Sequence, residues 1–370
     1  MWWREHSRRL AAEVTAEDSR WRQVVAAVPR HRLVPRWWST AEGEPWGVWQ
    51  VRDGAADPDA WARAAYQNVS LVTEVERAHA DLAADGTVLT GVPTSTSAMP
   101  RLVLRLLRHA QIREGARVLI VGYGVGLCGC PCRLPVRRRM GHLDRLQSVS
   151  DRGGGRAPAI GLLPTLLAGD GTGPLPGSYD RIVSMTGVRP IPASWLAALR
   201  AGGRLVTTIA ATPLILCAVK NAGGGAEGQI AWDRGMFTPA EGAGEDWHEP
   251  MPIVATDTGE ERLSRYPVAR IRPFSDVAAM LELVAPGIRR QYEEHDDGRR
   301  TARMSHADGS WARATAFGDE PPTVIQGGPR RQGDLLDEVR LDWLTRGSTP
   351  AYGAKAVIDT SGGGELSRGH

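Results

Sequence analysis

Cysteine and lysine are both scarce. Four cysteines in 370 residues are too few for the disulfide framework that holds small secreted domains together. Lys220 and Lys355 are the only lysines, so nearly all of the 45 cationic side chains are arginine. That bias, with 43 glycines and a formal net charge of +3, fits a GC-rich coding sequence better than a surface built for nucleic acid. Nucleic acid is therefore not among the expected partners. No uncharged apolar run reaches the roughly 18 to 20 residues that span a bilayer, and the best candidate, residues 205–219, is broken by Pro213. No membrane association is expected. Arg4, Glu5, Arg8 and Arg9 crowd the N-terminus and no apolar stretch follows them, so no secretory signal is expected and the default compartment is cytoplasmic. What is present is ordinary for a globular chain: 42% apolar and 24% charged residues, enough to bury a sizeable core. At roughly 100 to 200 residues per domain the length suggests two folded units.

Residues 1–80 read as a helical N-terminal segment with connecting loops. Residues 3–14 have helical apolar spacing, Asp18 or Ser19 can cap a second helix, and Pro29 stops it. Eight of the thirteen tryptophans lie between Trp2 and Trp61, either as amphipathic packing or as a groove for a peptide. Residues 81–236 alternate helix and strand. The helix predicted over 100–111 precedes short apolar runs at 117–121, 165–168, 181–184 and 204–209, each bounded by turn residues. Such runs mark buried parallel strands. They imply an α/β fold, a doubly wound Rossmann-like sheet. Residues 213–220 and 228–232 flank Asn221-Ala222-Gly223-Gly224-Gly225 and predict a hairpin closing the sheet. Residues 237–370 form a C-terminal α+β extension, a substrate or partner domain, with strands expected around 265–271, 303–306 and 311–316 and a helix over 335–344.

The segment richest in chemistry is Val118-Leu119-Ile120-Val121-Gly122-Tyr123-Gly124-Val125-Gly126. Glycines after a strand let backbone N–H groups approach a ligand closely, because glycine has no Cβ; alone, the loop could equally be a tight turn. Its spacing lacks one residue of the dinucleotide GxGxxG, which moves the expected cofactor from NAD to S-adenosylmethionine and disfavours a dehydrogenase. Gly169-Asp170-Gly171 places an acid at the end of a later strand, on the same carboxyl edge. There Asp170 can accept from an adenine amine or a ribose hydroxyl.

Together these pieces resemble the protein-L-isoaspartate O-methyltransferase family over residues 21–232. Val28-Pro29-Arg30-His31-Arg32-Leu33-Val34-Pro35 resembles its N-terminal motif, Ala65-Tyr66-Gln67-Asn68 its AYxD element, and residues 94–100 its hydroxyl-rich loop before the first core helix. Residues 189–192 and 202–206 resemble its last pair of elements. With Gln326-Gly327-Gly328-Pro329-Arg330-Arg331 in the tail, the chain is similar to actinobacterial members found beside ATP-grasp peptide-maturation enzymes. The resemblance implies transfer of a methyl group from S-adenosylmethionine to an aspartyl or isoaspartyl carboxylate of a protein or of a ribosomally made peptide. It implies association with a peptide-maturation enzyme. It places Gly122, Tyr123, Gly124, Gly126, Asp144, Asp170 and Gly171 at the cofactor. Ser97, then Thr96 and Ser95, would fix the substrate carboxylate, unless these hydroxyls only cap the following helix. Tyr66, Asn68 and Thr94 would close over the substrate, unless the first two form only a surface turn.

The sequence also departs from the family. Ser97 lies one residue away from the usual serine position, which Ala98 occupies, Asn68 stands where Asp is usual, and Ile120 where an acid is usual. Gly129, Pro131 and Pro135 interrupt the helix expected after Gly126. Between 137 and 156 no apolar run ends in an acid, and Asp144 is a poor substitute. A reading frame shifted over residues 123–157 and restored by a compensating indel would account for the departures inside that stretch, and would leave a catalytically impaired, peptide-binding methyltransferase-like module. Cys128, Cys130 and Cys132 are spaced CxCxC rather than CxxC, so no metal site is expected.

Overall fold

Ser7, Leu10 and Ala11 form the buried face of α1 (Trp3–Val14), and the Ser7 hydroxyl donates to the carbonyls of Val25 and Val28, at 3.1 and 3.3 Å. That contact fastens α1 to α2 (Arg22–Ala26) and to the turn leading into α3 (Arg30–Leu33). The computed structural model describes residues 2–45, 47–122, 142–146, 165–238, 258–272, 275–348 and 351–367, with 142–146 and 165–169 as backbone. Residues 1–80 hold more than the expected helices and loops. Strands β1 (Arg36–Thr40), β2 (Val48–Asp53), β3 (Leu71–Val75), β4 (Ala78–His79), β5 (Val88–Thr90) and β6 (Pro93–Ser97) form a sheet in the order β4-β3-β1-β2-β5, with β6 also on β3; the helix α4 (Pro58–Ala65) lies between β2 and β3 in the chain. Trp37 packs into the main core, whereas its neighbour Trp38 joins Trp49, Val51, Val75 and Ala80 in a second cluster. Adjacent tryptophans on opposite faces are the strand alternation, which a helical reading of the tryptophan-rich head overlooks.

The main core is built on α5 (Pro100–His109), whose proline sits in the first turn and whose Leu102, Val103, Leu106 and Leu107 are buried. Beyond it runs a nine-stranded sheet of β7 (Val118–Val121), β8 (His142–Leu146), β9 (Thr165–Gly169), β10 (Tyr179–Val188), β11 (Leu199–Ile209), β12 (Leu214–Lys220) and β13 (Ala226–Arg234). The last two chain segments, β19 (Lys355–Ile358) and β20 (Gly364–Ser367), complete it in the order β20-β19-β13-β12-β11-β10-β7-β8-β9. β7 is parallel to both β8 and β10, and β8 to β9. All four residues of β7 are buried, as a strand covered on both faces requires. The strand β8 is not legible as an apolar run, yet it pairs Asp144 with Val121. The predicted hairpin is present as β12 and β13, closed by the Asn221 N–H donating to the Gly225 carbonyl at 2.9 Å. The short helix α6 (Ala193–Ala198) carries the fully buried Trp195, whose indole donates to the Gly171 carbonyl. This is the doubly wound α/β fold expected from the sequence.

The chain divides into two compact units. The first comprises Met1–Ala210, Ile215–Ala243 and Ala354–His370, and the second Ala211–Leu214 and Gly244–Gly353. Apart from Ala211–Leu214, the expected 1–80 and 81–236 segments share one unit, which also holds both ends of the expected C-terminal extension. In the second unit an antiparallel sheet of β14 (Glu260–Leu263), β15 (Arg289–Glu294), β16 (Arg299–Ser305), β17 (Trp311–Phe317) and β18 (Thr323–Gly327) has the order β14-β18-β17-β16-β15. Helices α7 (Asp276–Val284) and α8 (Gln332–Thr345) pack on it through Met280, Leu281, Met304, Ala312, Leu336 and Val339. The strand expected at 265–271 is irregular, because Pro267 removes a ladder donor; the strand lies just upstream as β14. Among the described residues no helix is long and apolar enough to cross a membrane.

Leu106 is fully buried in the main core whereas Leu344 is 52% exposed. Leu106→Ala should lower the free energy of urea unfolding by about 2 to 5 kcal/mol, and Leu344→Ala should change it by no more than about 0.5 kcal/mol.

Candidate functional site

The strand order reverses between β7 and β10, and in open α/β sheets the carboxyl ends of the strands at such a reversal are where ligands bind. Gly122 follows β7 directly with φ of +78°, and a Cβ there would lie 2.6 Å from the Thr186 methyl and 3.2 Å from the Met185 carbonyl carbon. Only glycine lets the end of β7 lie this close to β10. Two strands away, Asp170 follows β9; its Oδ1 accepts from the Thr172 amide and hydroxyl at 2.8 and 2.7 Å. The Thr172 hydroxyl and amide hold this exposed carboxyl below its usual range, so it is an anionic acceptor at neutral pH. Gly171 is pinned beneath it through its carbonyl by Trp195. Asp144 lies level with Val121 in β8, which puts its backbone beside the same edge. Tyr123, Gly124 and Gly126, together with Cys128, Cys130 and Cys132, lie outside the described residues, as does the proposed shifted stretch apart from β8. Ser184 and Thr186, whose hydroxyl oxygens are 3.0 Å apart near the end of β10, stand next to Gly122 although no motif marks them; their sole sequence signal is their position after an apolar run.

The second group of predicted residues gathers at the start of α5. Residues 93–97 are not a loop but the strand β6, paired to β3 in the register Leu71–Ser97, Val72–Thr96 and Glu74–Ser95. The pairing sorts the hydroxyls. Thr94 donates to the buried Glu74 carboxylate at 2.7 Å, and Ser95 accepts from the Thr73 hydroxyl at 3.2 Å. Ser97, the first choice from sequence for substrate contact, is only 1% exposed and its oxygen lies 3.4 Å from the Arg30 guanidinium. The half-buried Thr96 is the member of the set with no side-chain hydrogen bond among the described residues. Asn68 neither carries charge nor needs to: its Oδ1 accepts the Arg101 amide at 3.0 Å, while the Ser70 hydroxyl accepts that of Met99 at 3.1 Å. Both satisfy donors at the exposed first turn of α5.

Tyr66, expected to close over a substrate, is instead 2% exposed and its hydroxyl lies 2.6 Å from His31 Nδ1. Trp2, Trp3, His6 and Trp61 surround this pair, with ring centroids 5.0 to 6.5 Å apart. Much of the tryptophan-rich head is thus packing. Burial, reinforced by Arg32, pushes the His31 imidazole down to about 4, and burial raises the Tyr66 phenol above its usual range. Arg30 enters the sequence reading only as one letter of a motif, yet its buried side chain is the centre of this region. Its Nη1 donates to the carbonyls of Ala65 and Gln67 at 3.1 and 3.0 Å, and its Nη2 to those of Val69, Ser97 and Ala98 at 2.9, 3.2 and 3.3 Å.

No family model matches the chain. A curated relative, protein-L-isoaspartate O-methyltransferase of Ignicoccus hospitalis, is 29% identical over 124 residues, covering 32% of this chain and 58% of the relative. The chain thus spans a little over half the length of that relative. A solved structure of a protein-L-isoaspartate O-methyltransferase superimposes with a TM-score of 0.50 at 15% identity, covering 98% of this chain and 99% of the other. A second, a Plasmodium falciparum protein-L-isoaspartate O-methyltransferase-type protein in complex with S-adenosyl-L-homocysteine, has a TM-score of 0.39 at 14% identity, covering 63% and 97%. The curated relative carries the name of the family that the motifs resemble, and the first superposition shows a shared fold.

His31 protonates near pH ~6.5 in the unfolded chain but near pH 4 in the folded one. The unfolded state therefore binds the extra proton first, and stability that is constant above about pH 6.5 declines as the pH falls towards 4. Thermal unfolding followed between about pH 7.5 and 4 should show this decline, and His31→Gln should flatten it over that window.

Proposed function

We propose that the chain is an S-adenosylmethionine-dependent carboxyl methyltransferase acting in the cytoplasm on an aspartyl or isoaspartyl carboxylate of a protein or a ribosomally made peptide. The observation that carries this is the reversal of strand order beside Gly122, where a Cβ has no room, in one compact unit with the hydroxyl strand β6. The residues present fit the cofactor. Gly122 offers backbone approach where a Cβ has no room, and the ionised Asp170 is an acceptor for amine or hydroxyl donors of a nucleoside. Asp144 and Gly171 complete that edge. When bound, S-adenosylmethionine supplies an electrophilic methyl group.

What the chain itself must do is bind and orient. A carboxylate, which ordinarily titrates near pH ~4, is already an ionised nucleophile at neutral pH and needs no general base. Alignment then dominates. Thr96, which has no side-chain hydrogen bond among the described residues, is the donor for the substrate carboxylate, whereas Ser95 accepts from Thr73, Ser97 is held by Arg30 and Thr94 is committed to Glu74. The second compact unit does not separate general repair from modification of a particular peptide, because the protein-L-isoaspartate O-methyltransferase structure that superimposes on 98% of this chain is matched over 99% of its own length. The resemblance of residues 326–331 supports association with a peptide-maturation enzyme of the ATP-grasp type.

Isothermal titration with S-adenosylhomocysteine should give micromolar binding, about −8 kcal/mol. Incubation with methyl-labelled S-adenosylmethionine and an isoaspartyl or aspartyl peptide should give a base-labile methyl ester. A folded protein that gives no heat up to millimolar ligand would sink the enzymatic reading and leave the catalytically impaired peptide-binding module, and a frame shift over 123–157 would then be sought in the source DNA. Gly122→Ala, which forces a Cβ against Thr186, should weaken the titration by at least about tenfold, equivalent to about 1.4 kcal/mol.

A further inference from the structure

Arg30 is 1% exposed, and its two terminal nitrogens reach five backbone carbonyls and one hydroxyl. These acceptors come from two segments far apart in sequence. Ala65 ends α4, and Gln67 and Val69 belong to the turn between α4 and β3, whereas Ser97 ends β6 and Ala98 leads into α5. The same turn supplies Asn68 and Ser70, which hold the amides of Arg101 and Met99. One planar cation thus fixes the turn and the end of the hydroxyl strand against each other, and the turn in turn fixes the start of α5.

The chemistry of the donor adds a direction. A guanidinium has no acceptor, so at the Arg30 contact the Ser97 oxygen must accept. A trans peptide points its carbonyl and its N–H in opposite directions. Drawing the Ser97 and Ala98 carbonyls to Arg30 therefore sets the peptide planes at the end of β6, and with them the strand register that presents Thr96. Lysine has the charge but neither the fork nor the five donors.

We propose that Arg30 is the positioning residue of the substrate side of the site, setting the relation between residues 65–70 and 94–99 on which orientation of the substrate carboxylate depends. This rests on the carboxyl methyltransferase reading above. Arg30 touches neither the substrate nor the reacting atoms; it acts through Ser97, Ala98 and the 65–70 turn.

The test compares wild type, Arg30→Met and Arg30→Lys by hydrogen–deuterium exchange, S-adenosylhomocysteine titration and methyl transfer to an isoaspartyl or aspartyl peptide. In Arg30→Met, exchange should quicken in 65–70 and 94–99 while β7, β10 and β11 keep their protection and the titration keeps its affinity. The peptide kcat/KM should drop by about 100-fold, the order of loss that a displacement of about 1 Å produces, and Arg30→Lys should recover part of both effects. Unchanged exchange in the two segments overturns the inference, as does a loss of cofactor affinity equal to the loss of kcat/KM. Should Arg30→Met fail to fold, Arg30→Lys carries the comparison, and failure of both to fold overturns it by making Arg30 a support of the whole core. A wild type that neither binds the cofactor product nor methylates a peptide defeats the functional reading separately, and the exchange measurement still decides whether Arg30 ties the two segments.

Discussion

A guanidinium taken out of water must find hydrogen-bond acceptors, because burying a charge without them costs several kcal/mol. Arg30 finds them in five carbonyls of two segments, and much of the N-terminal half is arranged around that requirement. Helix α1 is tied through Ser7 to the carbonyls of Val25 and Val28, just before Arg30. His31 and Tyr66 sit one residue beyond Arg30 and one beyond Ala65, and the aromatic cluster closes over them. Trp3 and Trp61, with the half-exposed Trp2, pack against this pair.

The other constraint is the parallel sheet. Strands buried on both faces leave their polar backbone ends as the places where a ligand can be met. Three features sharpen that edge: Gly122 lets β7 end against β10, the Asp170 turn places an ionised carboxylate beyond β9, and Trp195 locks Gly171 from below. Asp170 is held in its charged form by the neutral hydroxyl and amide of Thr172, and an anion so held suits the hydroxyl and amine donors of a nucleoside better than a phosphate.

The strands 117–121, 181–184 and 204–209 and the helices at 3–14 and 100–109 are legible in the sequence because their apolar periodicity is set by burial on one or both sides. The sheet of β1 to β6 is not. Its strands are short, the adjacent Trp37 and Trp38 hide the alternation, and two of its pairings, β3 with β1 and β3 with β6, join segments separated by long connections. The strand β8 is hidden for a different reason: His142-Leu143-Asp144-Arg145-Leu146 has no apolar run, and only its neighbours β7 and β9 define it. In the candidate site, Gly122, Asp170 and Gly171 are singled out by their places after apolar runs together with the family resemblance, whereas the division of labour among Thr94, Ser95, Thr96 and Ser97 depends on which partner faces each hydroxyl across β3.

By itself the sequence determined the alternation of helix and strand, the doubly wound sheet and the edge at which its glycine and acid lie, because local periodicity and turn chemistry act within a few residues. Tertiary structure alone decided that Ser97 and Tyr66 face inward, that Asn68 caps a helix, and that Arg30 joins two segments remote from each other in the chain. Those assignments depend on which buried polar groups meet, and a hydrogen bond formed across a fold leaves no period in the sequence.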